Sequence, residues 1–140
     1  MKTLLGLLAI IAALTANAAG AADLAHGKSL YEECSGCHAL KENQIGPKHC
    51  GVFGRKAGSV PGFTYSDVMH GAGFSWDDKH LDAFLTSPLS YLSGTNMGYA
   101  GLFDVKERQD LIAYLKKLSI DPVLCGPGPT ASAASQAATN

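Results

Sequence analysis

The sequence is short of charge: only 16% of its 140 residues are Asp, Glu, Lys or Arg. Eleven basic and twelve acidic residues leave neither a basic footprint for nucleic acid nor an acidic tail. Composition also excludes a collagen-like repeat and extensive disorder, and four cysteines are too few for a disulfide-dense mini-protein. No strand pattern of useful length appears, and beyond the first twenty residues nothing approaches the roughly 20 apolar residues of a membrane span. The length allows one compact domain.

What is present begins with a leader. Met1–Lys2 is a short positive start, and Leu4–Leu14 is an apolar run. Ala16-Asn17-Ala18 and Ala19-Gly20-Ala21 both offer small residues at a cleavage site. This is the pattern of a signal peptide, and at about eleven residues the run is short for a spanning anchor. Cleavage after Ala21 is favoured, with Ala18 second. Loss of Lys2 then leaves ten basic against twelve acidic residues, a charge of −2. At the other end, Gly126-Pro127-Gly128-Pro129 leads into Ala, Ser and Thr up to Asn140. Such a stretch has little to bury and is expected to be disordered over 126–140. The folding unit is residues 22–125.

Inside it the periodicity is helical. Leu24, Gly27, Leu30, Tyr31 and Cys34 recur at three- and four-residue steps over Asp23–Cys34. A glycine within that helix predicts close approach of another element. A second helix begins at Asp104, where Asp104 and Glu107 fit a capping box and Leu111, Ile112, Leu115 and Leu118 share one face. Lys116 and Lys117 suit its negative end, and Pro122 stands beyond the stop. His80–Leu85, led by Asp77 and Asp78, is a shorter helix, and Ser66–His70 and Pro88–Leu92 predict about a turn each. The rest is Gly-rich loop. Two terminal helices and loops make a poor core, so something else should fill the middle.

Cys34-Ser35-Gly36-Cys37-His38 is a C-x-x-C-H, the attachment signature of c-type haem. Two thiols three residues apart reach the two vinyl groups of one porphyrin, and the next residue stands beneath the iron as ligand. A thioredoxin-like pair needs a βαβ context that is missing. A zinc site needs a second ligand pair, whereas Cys50 and Cys125 stand alone. His26, His70 and His80 read as surface residues, and His49, beside Gly51-Val52-Phe53, is left open. For a sixth ligand the choice is Met69 or Met97, since Met1 leaves with the leader. Met97 is favoured because it lies in a loop framed by Gly94, Thr95 and Gly98 rather than on a helix face.

These elements, with Gly46-Pro47, Gly51-Val52-Phe53-Gly54-Arg55-Lys56, Pro61-Gly62-Phe63-Thr64-Tyr65, Gly94-Thr95-Asn96-Met97 and Asp110–Lys117, stand in an order that resembles a class I cytochrome c. The likeness is to the mitochondrial cytochrome c and bacterial cytochrome c2 group, and it runs from about Asp23 to Leu118. It implies an all-α fold of crossing terminal helices and short helices around one covalently bound haem c. It also implies Met97 opposite His38, and a Pro47 carbonyl that accepts from His38 Nδ1. Arg55, Tyr65 and Trp76 would sit by the inner propionate, with Thr95 supporting that end. The chain departs from the pattern at Met69 (usually Asn), Phe84 (usually Tyr) and Tyr99 (usually Phe), and at His49-Cys50 (usually Leu-His).

The function implied is that of a periplasmic one-electron carrier, a monomer and not an enzyme, with no stable membrane insertion and no nucleic-acid partner. Its donor would be of the cytochrome bc1 type, and its acceptor an oxidase, a reaction centre or another reductase. Two alternatives are an electron-entry subunit of a periplasmic dehydrogenase and a gas-binding or peroxidatic haem protein. Where mitochondrial relatives carry a lysine ring, this chain has Glu33, Leu89, Ser90, Asn96 and Asp104. The family's fold also brings the loop of Cys50 near the end of the last helix, so a Cys50–Cys125 disulfide is expected in an oxidising compartment, against two separate thiols.

Overall fold

The computed structural model describes residues 20–126. The expected leader (1–21) and tail (126–140) lie outside them except for Gly20, Ala21 and Gly126. The fold is all-α, and among the described residues the only extended pairing is a bridge between Lys56 and Ser75.

Each longer helix starts where a carboxylate covers the free amides of its first turn. In α1, Leu24–Cys34, Asp23 accepts from the amides of Ala25 and His26. After the single turn of α2, Asp67–His70, Asp77 opens α3, Asp78–Thr86, accepting from His80 N at 2.7 Å. Pro88 then begins α4, Pro88–Tyr91, and Asp104 caps α5, Val105–Ser119, through Glu107 N at 2.9 Å. Only the Asp104 half of the expected capping box forms among the described residues. Pro122 does more than stand beyond the stop: it is the first residue of a further helix, α6, Pro122–Cys125, capped by Asp121. A proline ends α5 yet suits the first turn of the next helix, where its missing N–H costs nothing.

α1 crosses α5 at Gly27. A Cβ there would stand 2.1 Å from the Asp110 carbonyl oxygen and 2.8 Å from Tyr114 Cβ. Only hydrogen fits, so the propensity cost of a helical glycine is offset by the close approach it permits. On α5 the stripe Leu111, Ile112, Leu115 and Leu118 is buried, continuing into Trp76, Leu81, Phe84 and Leu85. Full burial of one such side chain contributes about 1.5–3 kcal/mol.

Beside the crossing, Asp110 is only 1% exposed and is surrounded by donors. It accepts from Lys106 Nζ, from His26 Nδ1 at 3.0 Å and from Asp23 N at 2.7 Å, so one carboxylate ties α5 to the start of α1. His26 is therefore a surface histidine with a structural bond. The hydrogen bond from Lys106, then that from His26, lower the Asp110 pKa from 3.8 to about 2. A carboxylate more acidic in the folded state stabilises the fold above its unfolded pKa, and that stability is lost as pH falls through the folded value. Asp110→Asn is expected to be less stable than wild type at neutral pH. The gap should narrow between pH 3.8 and about 2 in urea melts; a gap constant over that range would contradict the assignment.

A buried arginine ties the middle of the chain to α5. Arg108 donates from Nε to Asp82 on α3 at 2.8 Å and from a terminal nitrogen to the carbonyls of Leu102 and Phe103. Leu102 N also bonds to Leu85 O at 2.8 Å. The loop that carries Met97 is thus anchored at its exit.

Candidate functional site

Between α1, α3 and α5 lies a cavity of about 400 Å³ whose walls include Val52, Leu81, Leu85, Leu111 and Leu115. The C-terminal end of α1 delivers Cys34, and the turn after it delivers Cys37 and His38, with His38 N bonded to Cys34 O at 2.9 Å. Both thiols are free, and all three side chains line the cavity. The His38 ring is fixed from behind: Nδ1 lies 2.7 Å from the Pro47 carbonyl. A carbonyl only accepts, so Nδ1 carries the proton and Nε2 keeps its lone pair. Burial pushes the His38 pKa down despite the opposing pull of Pro47, which keeps the ring neutral, the form that binds metal. Gly46 is needed here, since a Cβ would stand 2.3 Å from His38 Cε1.

Met97 and Met69 both line this cavity. They differ in setting. Met69 is buried in the core cluster on α2, whereas Met97 is only partly buried, in a loop steadied by Thr95 N on Leu92 O at 3.0 Å. Thr95 is itself buried, and its hydroxyl faces Met97 N at 3.4 Å. Arg55, Tyr65 and Trp76 are on the same walls. Arg55 also has a task that the sequence does not announce, donating to the carbonyls of Lys48 and Cys50 at 2.9 Å each and so bracing the loop behind His38. Phe84 packs edge-on against Trp76. Tyr99 lines the cavity near Glu33, and burial together with that negative charge raises its pKa.

The sequence left two residues of the site without a role. Ser66, the cap residue of α2, lines the cavity with a buried hydroxyl that has no hydrogen-bond partner. A buried hydroxyl left unpaired is costly, so it marks where a polar group of a bound molecule belongs. The only signal available was a serine at a helix start, which reads as an ordinary cap. His49 is the second. Its ring lies 4.2 Å from that of His38, centroid to centroid and 17° from parallel, and Tyr31 OH meets its Nδ1 at 2.9 Å. Burial, with His38 and Arg55 nearby, takes its pKa down to about 3. Of the three histidines expected at the surface, His80 is instead half-covered, stacked on Phe74 at 4.4 Å, because α3 lays it against that ring. His70 is exposed and bonds to Gly58 O. Cys50 and Cys125 have Cα atoms 5.4 Å apart and sulfurs at bonding distance, 1.97 Å.

The residues fit a covalently bound haem. The walls are apolar, two free thiols stand three residues apart, a neutral imidazole keeps one nitrogen unspent, and a thioether shares the cavity. Comparison with known proteins agrees. The Cytochrome c family model matches residues 24–119. Cytochrome c of Euglena viridis is 42% identical over 99 residues, covering 69% of this chain and 97% of that protein. Cytochrome c2 of Blastochloris viridis is 36% identical over 124 residues, covering 86% of this chain and 97% of the relative. The solved structure of cytochrome cH from Methylobacterium extorquens superposes with a TM-score of 0.66 at 38% identity, covering 68% of this chain and 98% of that one. The chain belongs to the cytochrome c family, as a class I c-type cytochrome. It holds one covalently attached haem c and is a monohaem electron carrier.

Proposed function

We propose that the chain is an exported, periplasmic carrier whose haem is joined to Cys34 and Cys37 and ligated by His38 and Met97. The observation that carries this reading is the meeting of these four side chains on one cavity. When bound, the haem supplies reversible one-electron exchange at iron. The protein holds the imidazole neutral and fixed through Pro47, presents the Met97 thioether, and keeps water away with Leu81, Leu85, Leu111 and Leu115. Arg55, Tyr65, Trp76 and Ser66 supply donors for the carboxylates of the group, which need partners when buried. If His38 and Met97 both held the group, no open position would be left for a substrate, which favours a carrier over a gas-binding or peroxidatic protein. Export rests on the leader pattern of residues 1–21. Among the described residues no helix is long and apolar enough to cross a membrane. The ferric absorption spectrum tests the ligation: methionine opposite histidine gives a weak far-red band, which open and bis-histidine sites lack.

The partner-facing surface has few cations. At the cavity mouth stand Glu33, Asn96 and Ile45, the last 79% exposed, and Leu89 is 56% exposed where a lysine is usual in mitochondrial relatives. With −2 on the exported chain, long-range attraction to an acidic partner is weak or reversed. Donors of the cytochrome bc1 type and acceptors such as an oxidase or reaction centre fit this role. Electron transfer to the acceptor should therefore vary little between low and physiological ionic strength in stopped-flow traces. A steep fall in rate on adding salt would contradict it.

A further inference from the structure

A partly buried histidine lying flat on a ligand histidine calls for a reason. His49 is braced on every side. Its N–H bonds to Ala39 O at 3.0 Å, and Arg55 clamps the carbonyls of Lys48 and Cys50, the residues on either side. Cys50 N bonds to Leu40 O at 2.8 Å, and the Cys50 sulfur lies at bonding distance from Cys125. The ring is held as firmly as the backbone, through Nδ1 at Tyr31 OH, and Tyr31 itself packs on Tyr114 of α5 at 5.6 Å. An apolar residue would fill the same space without needing a hydrogen-bond partner. A planar ring adds orientation, because stacked aromatic rings hold one another near parallel.

His38 has a need for such orientation. Its bond from Nδ1 to Pro47 restrains the edge of the ring, yet one hydrogen bond tolerates rocking of the ring plane. A parallel ring against the face at 4.2 Å removes that freedom. We infer that His49 is a positioning residue for the axial histidine: the Tyr31–His49 pair sets the plane of the His38 imidazole, and with it the direction in which the ligand's π orbital meets the iron. The inference rests on the proposal that His38 binds the iron. Outer partners of a ligating histidine commonly act on edge or tautomer; here a second imidazole acts on the face.

The test uses the ferric holoprotein and proton NMR of the haem methyl groups, whose shifts report the orientation of the axial imidazole plane, together with an equilibrium redox titration. His49→Leu keeps an apolar filling but no ring, His49→Phe keeps a ring without a polar atom, and Tyr31→Phe frees the His49 ring while leaving it in place. The expected result is a changed order or spread of methyl resonances and a shifted midpoint potential for His49→Leu. His49→Phe and Tyr31→Phe, which each keep a ring on the His38 face but lose the hydrogen bond that fixes it, should both move only part of the way towards the leucine variant. The far-red band should persist in all three. If His49→Leu keeps the wild-type methyl pattern, or His49→Phe departs from it as far as the leucine variant does, the inference is overturned. Absence of iron-shifted imidazole resonances from the wild-type protein would instead remove the ligation itself, and the inference with it.

Discussion

Met97→Ala is expected to abolish the far-red band of the ferric protein entirely, while the haem stays attached through Cys34 and Cys37. The same variant should bind added azide or cyanide readily, since alanine leaves the iron with an open side, and its reduction potential should fall because methionine ligation favours ferrous iron. The argument lies in the setting of the two methionines. Met69 is buried on the turn of α2, among the core residues that include Trp76 and Leu81, so its sulfur is already part of the packing. Met97 is on a loop whose two flanks are fixed, by Thr95 N on Leu92 O before it and by Leu102 N on Leu85 O after it. Met69→Ala should therefore keep the band and lose stability by the roughly 2–5 kcal/mol of a core truncation. The reverse outcome, with the band lost in Met69→Ala and kept in Met97→Ala, would overturn the ligand assignment.

What could be read from the residues follows from how local each feature is. Helix starts were legible because a cap is a short-range bond: Asp23, Asp77 and Asp104 each sit where their own carboxylate meets an amide two or three residues on. The C-x-x-C-H was legible because its chemistry is written in five consecutive residues. Gly27 was legible as a close approach, though not that the neighbour would be the Asp110 carbonyl. Most of the features missed depend on a partner far along the chain. Asp110 takes donors from Asp23 and His26, 87 and 84 residues away, and no local pattern announces that. His49 gains its meaning from the ring of His38 and the hydroxyl of Tyr31, neither of which is near it in sequence. Ser66 looks like a cap, and only the fold reveals that its hydroxyl is buried on the cavity wall without a hydrogen-bond partner. Pro122 was read as a stop, correctly for α5, but the same residue starts α6 because Asp121 before it happens to cap two amides.

Cys50→Ser and Cys125→Ser are each expected to lower stability by the same amount, and the double variant by no more than either. A bond between the two closes a loop with a sequence separation of 75, for which chain entropy gives up to roughly 4 kcal/mol. The surroundings point the same way: Gly51 N bonds to Ser119 O at 2.8 Å, so the loop of Cys50 is already held at the end of α5. α6 then turns the chain back, with Cys125 N on Asp121 O at 2.7 Å. The link therefore joins two segments that hydrogen bonds have brought close, and little native-state rearrangement opposes it. Both partners lie outside the haem motif, and an exported chain meets an oxidising compartment, where such pairs persist. Alkylation of the denatured, unreduced holoprotein followed by mass spectrometry should find no free thiol, because Cys34 and Cys37 are taken up by the haem. Reduction before alkylation should add two labels, on Cys50 and Cys125. Two labels without reduction, or single-variant losses that add in the double variant, would show separate thiols. Because Cys50 follows His49 directly, the comparison carries a second reading: if the bond steadies the loop behind His38, the serine variants should also broaden the haem methyl resonances, whereas a bond that only shortens the unfolded chain would leave them sharp.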